Sequence, residues 1–204
     1  MKHVIVIFLL ISSVIYSQEI GLNASNSWTD NPSIGSIPGF GVSIYKSLGI
    51  AGLRFDFSHS ENSETYEGMF FRGLMVPPSP VATETIKSSI KLQSYELFVA
   101  LNNLAEFRNI ALNLAIGGSI DNFSTSKFGT SSRLTADISE TKYGWQYLVS
   151  LSYNKLFNLP LKPYIQFKQK FMYGTEYTTD VENIFEGDVE STQLQVGIYY
   201  IFNM

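Results

Sequence analysis

Cysteine does not occur anywhere in the 204 residues, so the chain has neither disulfides nor thiolate chemistry to draw on. Histidine is nearly absent as well. There are two, His3 and His59, too few for a His-based metal cluster. Charged residues make up 16% of the chain, whereas a solvated protein surface alone carries roughly 25–35%. The balance is mildly acidic, 14 Lys and Arg against 18 Asp and Glu, and lacks the basic stripe that a nucleic-acid partner requires. Past the N-terminal stretch, no segment approaches the roughly 18 consecutive apolar residues of a membrane helix. Helical periodicity is almost missing. "SIGSIPGFG" has glycines but not the strand–turn–helix setting of a nucleotide fingerprint.

What the chain does have begins at its N-terminus. "MKHVIVIFLLISSVIYS" places Lys2 before an apolar run from Val4 to Ile11 and a small-residue stretch ending at Ser17. This reads as a secretory signal peptide over residues 1–17, too short for a permanent anchor. No Cys follows it, so no lipoprotein anchor is expected. Loss of Lys2 takes the formal net charge from −4 to −5. Residues 18–204 then form one domain.

That domain reads as eight alternating segments with period two, the signature of strands with one apolar face. "GLRFDFS" sets Leu53, Phe55 and Phe57 against Arg54 and Asp56. "KYGWQYLVSLSY" sets Tyr143, Trp145, Tyr147, Val149, Leu151 and Tyr153 against Gly144, Gln146, Leu148, Ser150 and Ser152. The last segment, "QLQVGIYYIF", carries Leu194, Val196, Ile198, Tyr200 and Phe202 on one side. Short connections (near 46–49, 102–108 and 154–162) alternate with long polar ones (near 29–39, 59–88, 121–141 and 174–190). Strict alternation of short and long is what an antiparallel up-and-down barrel produces, with both termini at the short-turn end.

The less apolar faces decide which side meets water. They are rich in Gly, Ser, Asn and Gln and poor in Lys and Glu, which suits a narrow lumen better than a solvated exterior. Most acids fall in the expected loops, such as Glu61, Glu64, Glu67, Asp180, Glu182, Glu186 and Asp188. Trp28, Phe40, Phe57, Tyr143, Trp145, Phe171 and Tyr173 are expected near the long-loop rim, and Tyr45, Tyr153, Phe157 and Phe202 near the other. Aromatic rings at two levels form the girdle of a membrane barrel. The expected fold is therefore all-β, an eight-stranded antiparallel up-and-down transmembrane β-barrel.

The "GLNAS" start, the "GFGVSIY…GLRFDFSHSEN" hairpin and the terminal "VGIYYIF" resemble the small outer-membrane β-barrels of Gram-negative bacteria, of which the OmpA- and OmpX-like barrels are members. The resemblance covers essentially all of residues 18–204. It implies an outer-membrane location, contact with outer-membrane lipids and lipopolysaccharide, and insertion by the barrel-assembly machinery, which reads a closing aromatic. Here Phe202 is followed by Asn203 and Met204.

Arg54, Asp56, Glu96, Lys168 and Lys170 are expected to point into the lumen. Buried charges must be paired, so they read as an ion-pair plug, with a gated ion path as the alternative. His59 lies in "FSHSEN", where its flanking serines belong to the opposite face and only Glu61 shares its own. It is assigned to the rim, not to catalysis. "GMFFRGLMVPPSP" (68–80) would be an unusually apolar loop, folded onto the rim, extending strands or contacting a partner. "DNFSTSKFGTSSRLTADISE" reads as a mobile surface loop. No catalytic, cofactor or metal site is expected, and no cofactor. The expected role is structural or interactive: a monomeric membrane anchor whose long loops meet an unknown surface partner. A narrow channel, a soluble lipocalin-like carrier and a lipid-modifying barrel enzyme are the alternatives.

Overall fold

A computed structural model describes residues 18–29, 36–70, 82–129, 135–154, 156, 159–173 and 188–202. The signal-peptide assignment, Phe157 and the 71–80 part of the apolar segment lie outside them. Eight strands follow one another: β1 Gln18–Thr29, β2 Ser36–Leu48, β3 Ala51–Phe70, β4 Ala82–Phe107, β5 Ile110–Gly129, β6 Thr135–Tyr153, β7 Leu161–Tyr173 and β8 Val189–Phe202. Each pairs antiparallel with the next, and β1 pairs with β8 from Gln18↔Phe202 to Thr29↔Ser191. The barrel is closed. Closure satisfies the backbone without leaving an edge, which a strand must achieve to cross lipid.

Tight turns set the short end. Gly49, at φ 88°, opens the two-residue β2–β3 turn, a position that suits a residue without Cβ. Arg108 and Asn109, at φ 48° and 72°, form the β4–β5 turn, where a primed turn needs positive φ at both central residues.

Alternation sorts the side chains as the pattern requires. Leu22, Phe55, Leu97, Ile116, Leu151, Phe167 and Val196 point outward and are exposed, giving an apolar exterior. Gly, Ser and Gln, with a few large residues, fill the inside. A soluble carrier of the lipocalin kind has these faces reversed.

Four strands run further than the alternation suggests. The expected loops at 59–88 and 121–141 are largely strand: β3 reaches Phe70, β4 starts at Ala82, and β5 and β6 pair from Ile110↔Tyr153 to Phe128↔Thr135. Their upper segments are rich in Ser and Thr with only scattered apolar residues such as Ile90 and Phe123, so the period-two signal weakens while pairing continues. Ladder β2–β3 stops at Ser60 and ladder β6–β7 at Tyr143. Among the described residues, a four-stranded sheet of β3–β6 therefore rises above the rest of the barrel.

Candidate functional site

The lumen is layered. Toward the short-turn end, Tyr45, Phe98, Leu148, Tyr164 and Tyr199 pack together with Ala100 and Ala115. Tyr164 and Tyr199 stack with ring centroids 4.4 Å apart. Close approach by these rings needs glycine opposite them. A Cβ at Gly21 would lie 2.7 Å from the Tyr199 ring, and one at Gly197 would lie 2.6 Å from the Tyr164 ring. Toward the long-loop end, Ile37, Ile90, Leu92, Phe123, Met172 and Val189 form a second apolar layer.

Between the two lies the charged layer. The Arg54 guanidinium grips Asp56 with two donors, Nε to Oδ1 at 2.6 Å and Nη2 to Oδ2 at 2.7 Å. Asp56 and Glu96 are register partners on β3 and β4, and two carboxylates placed side by side repel. β7 resolves this from across the barrel. Lys168 Nζ is 3.7 Å from Asp56 and donates to Glu96, while Lys170 Nζ donates to Glu96 Oε1 and Asp121 Oδ1, both at 2.7 Å. The result is a ladder of alternating sign, Arg54–Asp56–Lys168–Glu96–Lys170–Asp121. Ser94 and Ser119 donate to the Asp121 oxygens at 2.5 and 2.6 Å.

An amide relay completes the circuit. Arg54 Nη1 donates to Gln166 Oε1 at 2.7 Å, Gln166 donates to Gln195, Gln195 to Gln193 at 2.7 Å, and Gln193 to Ser27 at 3.0 Å. Paired charges and linked amides meet the condition under which burial of polar groups is tolerated. Arg54 is also enclosed by aromatic faces, 5.9, 5.8 and 5.7 Å from the Phe98, Tyr164 and Tyr199 ring centroids, which adds cation–π attraction.

All five charges singled out from the sequence thus lie in this one network. Asp121 belongs to it too, although its place beside Asn122 reads as the start of a loop. Lys142 is buried as well, paired with Glu140 at 3.2 Å. Asp121 acquires its position from the unexpected length of β5, whereas Lys142 lies at the start of the sixth alternating segment.

The girdle residues Trp28, Phe57, Tyr143, Trp145, Tyr153, Tyr173 and Phe202 all face outward. Phe57, Tyr95, Ile120, Tyr143 and Tyr173 are successive cross-strand partners, one row around half the barrel. Trp145 stacks on Phe171 at 4.5 Å and donates from Nε1 to the Tyr173 hydroxyl at 3.0 Å. Tyr45 departs from its expected place at the rim: it shares the register face of Ser43 and points into the lumen.

His59 faces outward, 5.5 Å from the Phe40 ring, with Nε2 3.8 Å from Glu61. Ser58 and Ser60 are buried on the other face, so the geometry builds no Ser–His pair. Among the described residues no group of His, Asp and Glu is placed to hold a metal.

No protein-family model matches this chain, and neither does any curated protein. Solved structures do. A major outer membrane protein from Thermus thermophilus aligns with TM-score 0.59 at 12% identity, over 91% of this chain and 99% of that one. Neisserial surface protein A (NspA) aligns with TM-score 0.55 at 14% identity, over 91% and 96%. Ail, the attachment invasion locus protein of Yersinia pestis, aligns with TM-score 0.53 at 12% identity, over 92% and 99%. The chain has the fold of the small eight-stranded outer-membrane β-barrels, and its outward apolar belt is the surface that crosses the membrane.

Proposed function

We propose that this barrel is a non-enzymatic membrane anchor that presents the β3–β6 sheet and its connections at the cell surface, where they meet another molecule. The protruding sheet carries the reading. Glu61–Phe70 of β3 continue beyond the last β2 partner, roughly 30 Å of strand at about 3.3 Å per residue. Apart from the buried Ile90, the side chains described there are polar on both faces: Glu61, Asn62, Ser63 and Thr65 on β3, Thr85, Lys87, Ser88 and Ser89 on β4, Ser124 and Ser126 on β5, and Ser139 and Thr141 on β6. Such a segment belongs in water, not lipid. Two of the proteins sharing the fold are named for the surface and for attachment and invasion.

The lumen supports anchoring over conduction. An ion would have to pass an apolar layer and a neutral ladder whose charges are already paired, and an eight-stranded interior is only wide enough for side chains. Outer-membrane lipids and lipopolysaccharide would surround the belt, insertion would use the barrel-assembly machinery, and the barrel would act as a monomer.

The absence of cysteine makes the test direct. Thr65→Cys and Ser47→Cys are introduced separately and intact cells are treated with a membrane-impermeant maleimide. Labelling of Thr65→Cys alone is the expected result. Labelling of Ser47→Cys alone reverses the orientation and overturns the proposal. Recovery of the protein in the soluble fraction without detergent overturns the membrane reading itself.

A further inference from the structure

The opposite end of the barrel holds a cavity that the surface role does not use. On β4 the pairing with β5 shifts between Leu101 and Ala105, so that Asn102, Asn103 and Leu104 bulge at the rim. Asn103 sits at φ 50°, a conformation that Asn tolerates better than most residues. The bulge is held on both sides. The Asn103 N–H donates to Asn113 Oδ1 at 3.0 Å, and Asn102 Nδ2 donates to the carbonyls of Gly49 and Ala51, both at 3.2 Å. Bulges at barrel rims re-aim side chains, and here the outcome is a cavity of about 240 Å³ bordered by Glu19, Tyr45, Asn102, Asn103, Asn154 and Lys162.

We propose that this mouth binds a compact, uncharged sugar. Among the described residues its one charged pair is internally neutralised, with Lys162 Nζ 3.2 and 3.4 Å from the two Glu19 oxygens. That pair gives no surplus charge to a phosphate or a polycation. Asn103 and Asn154 each offer a donor and an acceptor in one plane, the arrangement that meets neighbouring hydroxyls. Ile201 supplies a small apolar wall for the C–H face of a ring. The volume is below the roughly 300–1,000 Å³ of drug-sized sites, which suits one ring. Beneath the mouth, Tyr45, Tyr164 and Tyr199 narrow the space that leads to Arg54 to about 30 Å³, so a ring-sized ligand seats in the mouth.

The test is an NMR titration of the full barrel in detergent micelles, following the Asn side-chain amides and the Lys162 backbone, with N-acetylglucosamine as the probe and inorganic phosphate as the control. Saturable shifts in the millimolar range at Asn103, Asn154 and Lys162 are expected with the sugar alone. Lys162→Met and Asn154→Ala should each weaken binding about tenfold, the effect of one lost buried hydrogen bond, while keeping the boiling-dependent gel shift of a folded barrel. Asn154→Ala leaves the backbone bond from Asn154 N–H to Asn109 O in place, so it carries the test if Lys162→Met fails to fold. No saturation with sugar, equal binding of phosphate, or shifts indifferent to the folded variants would overturn the proposal. None of these outcomes bears on the cysteine labelling, which reads the orientation of the barrel and involves no sugar.

Discussion

Glu96 and Leu97 are neighbours on β4, yet Glu96 is 1% exposed inside the barrel and Leu97 is 60% exposed outside it. The two faces of the same strand are stabilised by different means. On the lumen side, each charge owes its place to particular partners across the barrel: Glu96 without Lys168 and Lys170 would be an isolated carboxylate. On the outer side, Leu97 needs no particular neighbour, only an apolar medium. The inside is therefore specific and unforgiving to loss of one member, while the outside tolerates exchange among apolar residues and fails only when a residue changes class.

The largest expected effect breaks the inner half of that contrast. Glu96→Ala takes a carboxylate from two buried ammonium groups, leaving Lys168 only Asp56 and Lys170 only Asp121 among the ladder's acids, and removing one partner of a buried ion pair costs about 3–5 kcal/mol. Urea titration of the reconstituted barrel should register this as a lower midpoint with unchanged slope. Glu96→Gln keeps the shape and some hydrogen bonding and should cost less. A Glu96→Ala barrel as stable as the parent would mean that water already reaches the ladder, which would revive the conducting alternative and call for bilayer conductance measurements.

Next in size is a change of class on the outer face. Leu97→Arg places a guanidinium in the lipid-facing belt, where Arg near the midplane costs about 2–4 kcal/mol. Leu97→Ile should be nearly silent by the same titration. If Leu97→Arg were harmless, the belt would not be in lipid at this height. Gly197→Ala tests the lumen from a third direction, because the added methyl meets the Tyr164 ring and the Leu22 carbonyl, and overpacking of this kind costs about 1–3 kcal/mol.

The same contrast explains what could be read in advance. Phe55 and Arg54 sort to opposite faces by position alone, so the belt, the girdle and the five lumen charges follow from alternation and composition. Pairing across the barrel does not. That Lys168 and Lys170 on β7 reach Glu96 on β4 depends on how the closed barrel staggers its strands, and no local pattern encodes that. Asp121 shows the cost of relying on periodicity: a carboxylate beside Asn122 resembles a turn until Lys170 is seen to hold it. The bulge at Asn102–Leu104 is hidden too, since an inserted residue breaks the period that would reveal a strand. Glu140 lies where Ser and Thr on both faces erase the alternation, so its pairing with Lys142 at the start of the sixth segment is hidden. For the mouth cavity, the only local clue is the cluster of Asn102 and Asn103 at a short turn.

The smallest effect sharpens the boundary between the two media. Tyr173 is 51% exposed at the long-loop rim, and its hydroxyl accepts the Trp145 Nε1 proton at 3.0 Å. Tyr173→Phe keeps the ring and removes the acceptor. If this level is the membrane–water interface, the indole N–H regains a partner from water or a lipid headgroup, and the loss should be at the lower end of the roughly 0.5–1.5 kcal/mol of an ordinary hydrogen bond. If the level is instead within the hydrocarbon, no replacement exists and the stranded donor should cost about 1–3 kcal/mol. Trp145 fluorescence would separate the two cases independently of stability, because an indole at the interface emits further to the red than one surrounded by acyl chains. A small loss with interfacial emission fixes the upper edge of the apolar belt at the row Phe57–Tyr95–Ile120–Tyr143–Tyr173. A large loss with blue emission moves that edge upward, toward Thr65 and the polar segments of β3–β6, and shortens the part of the sheet that stands in water.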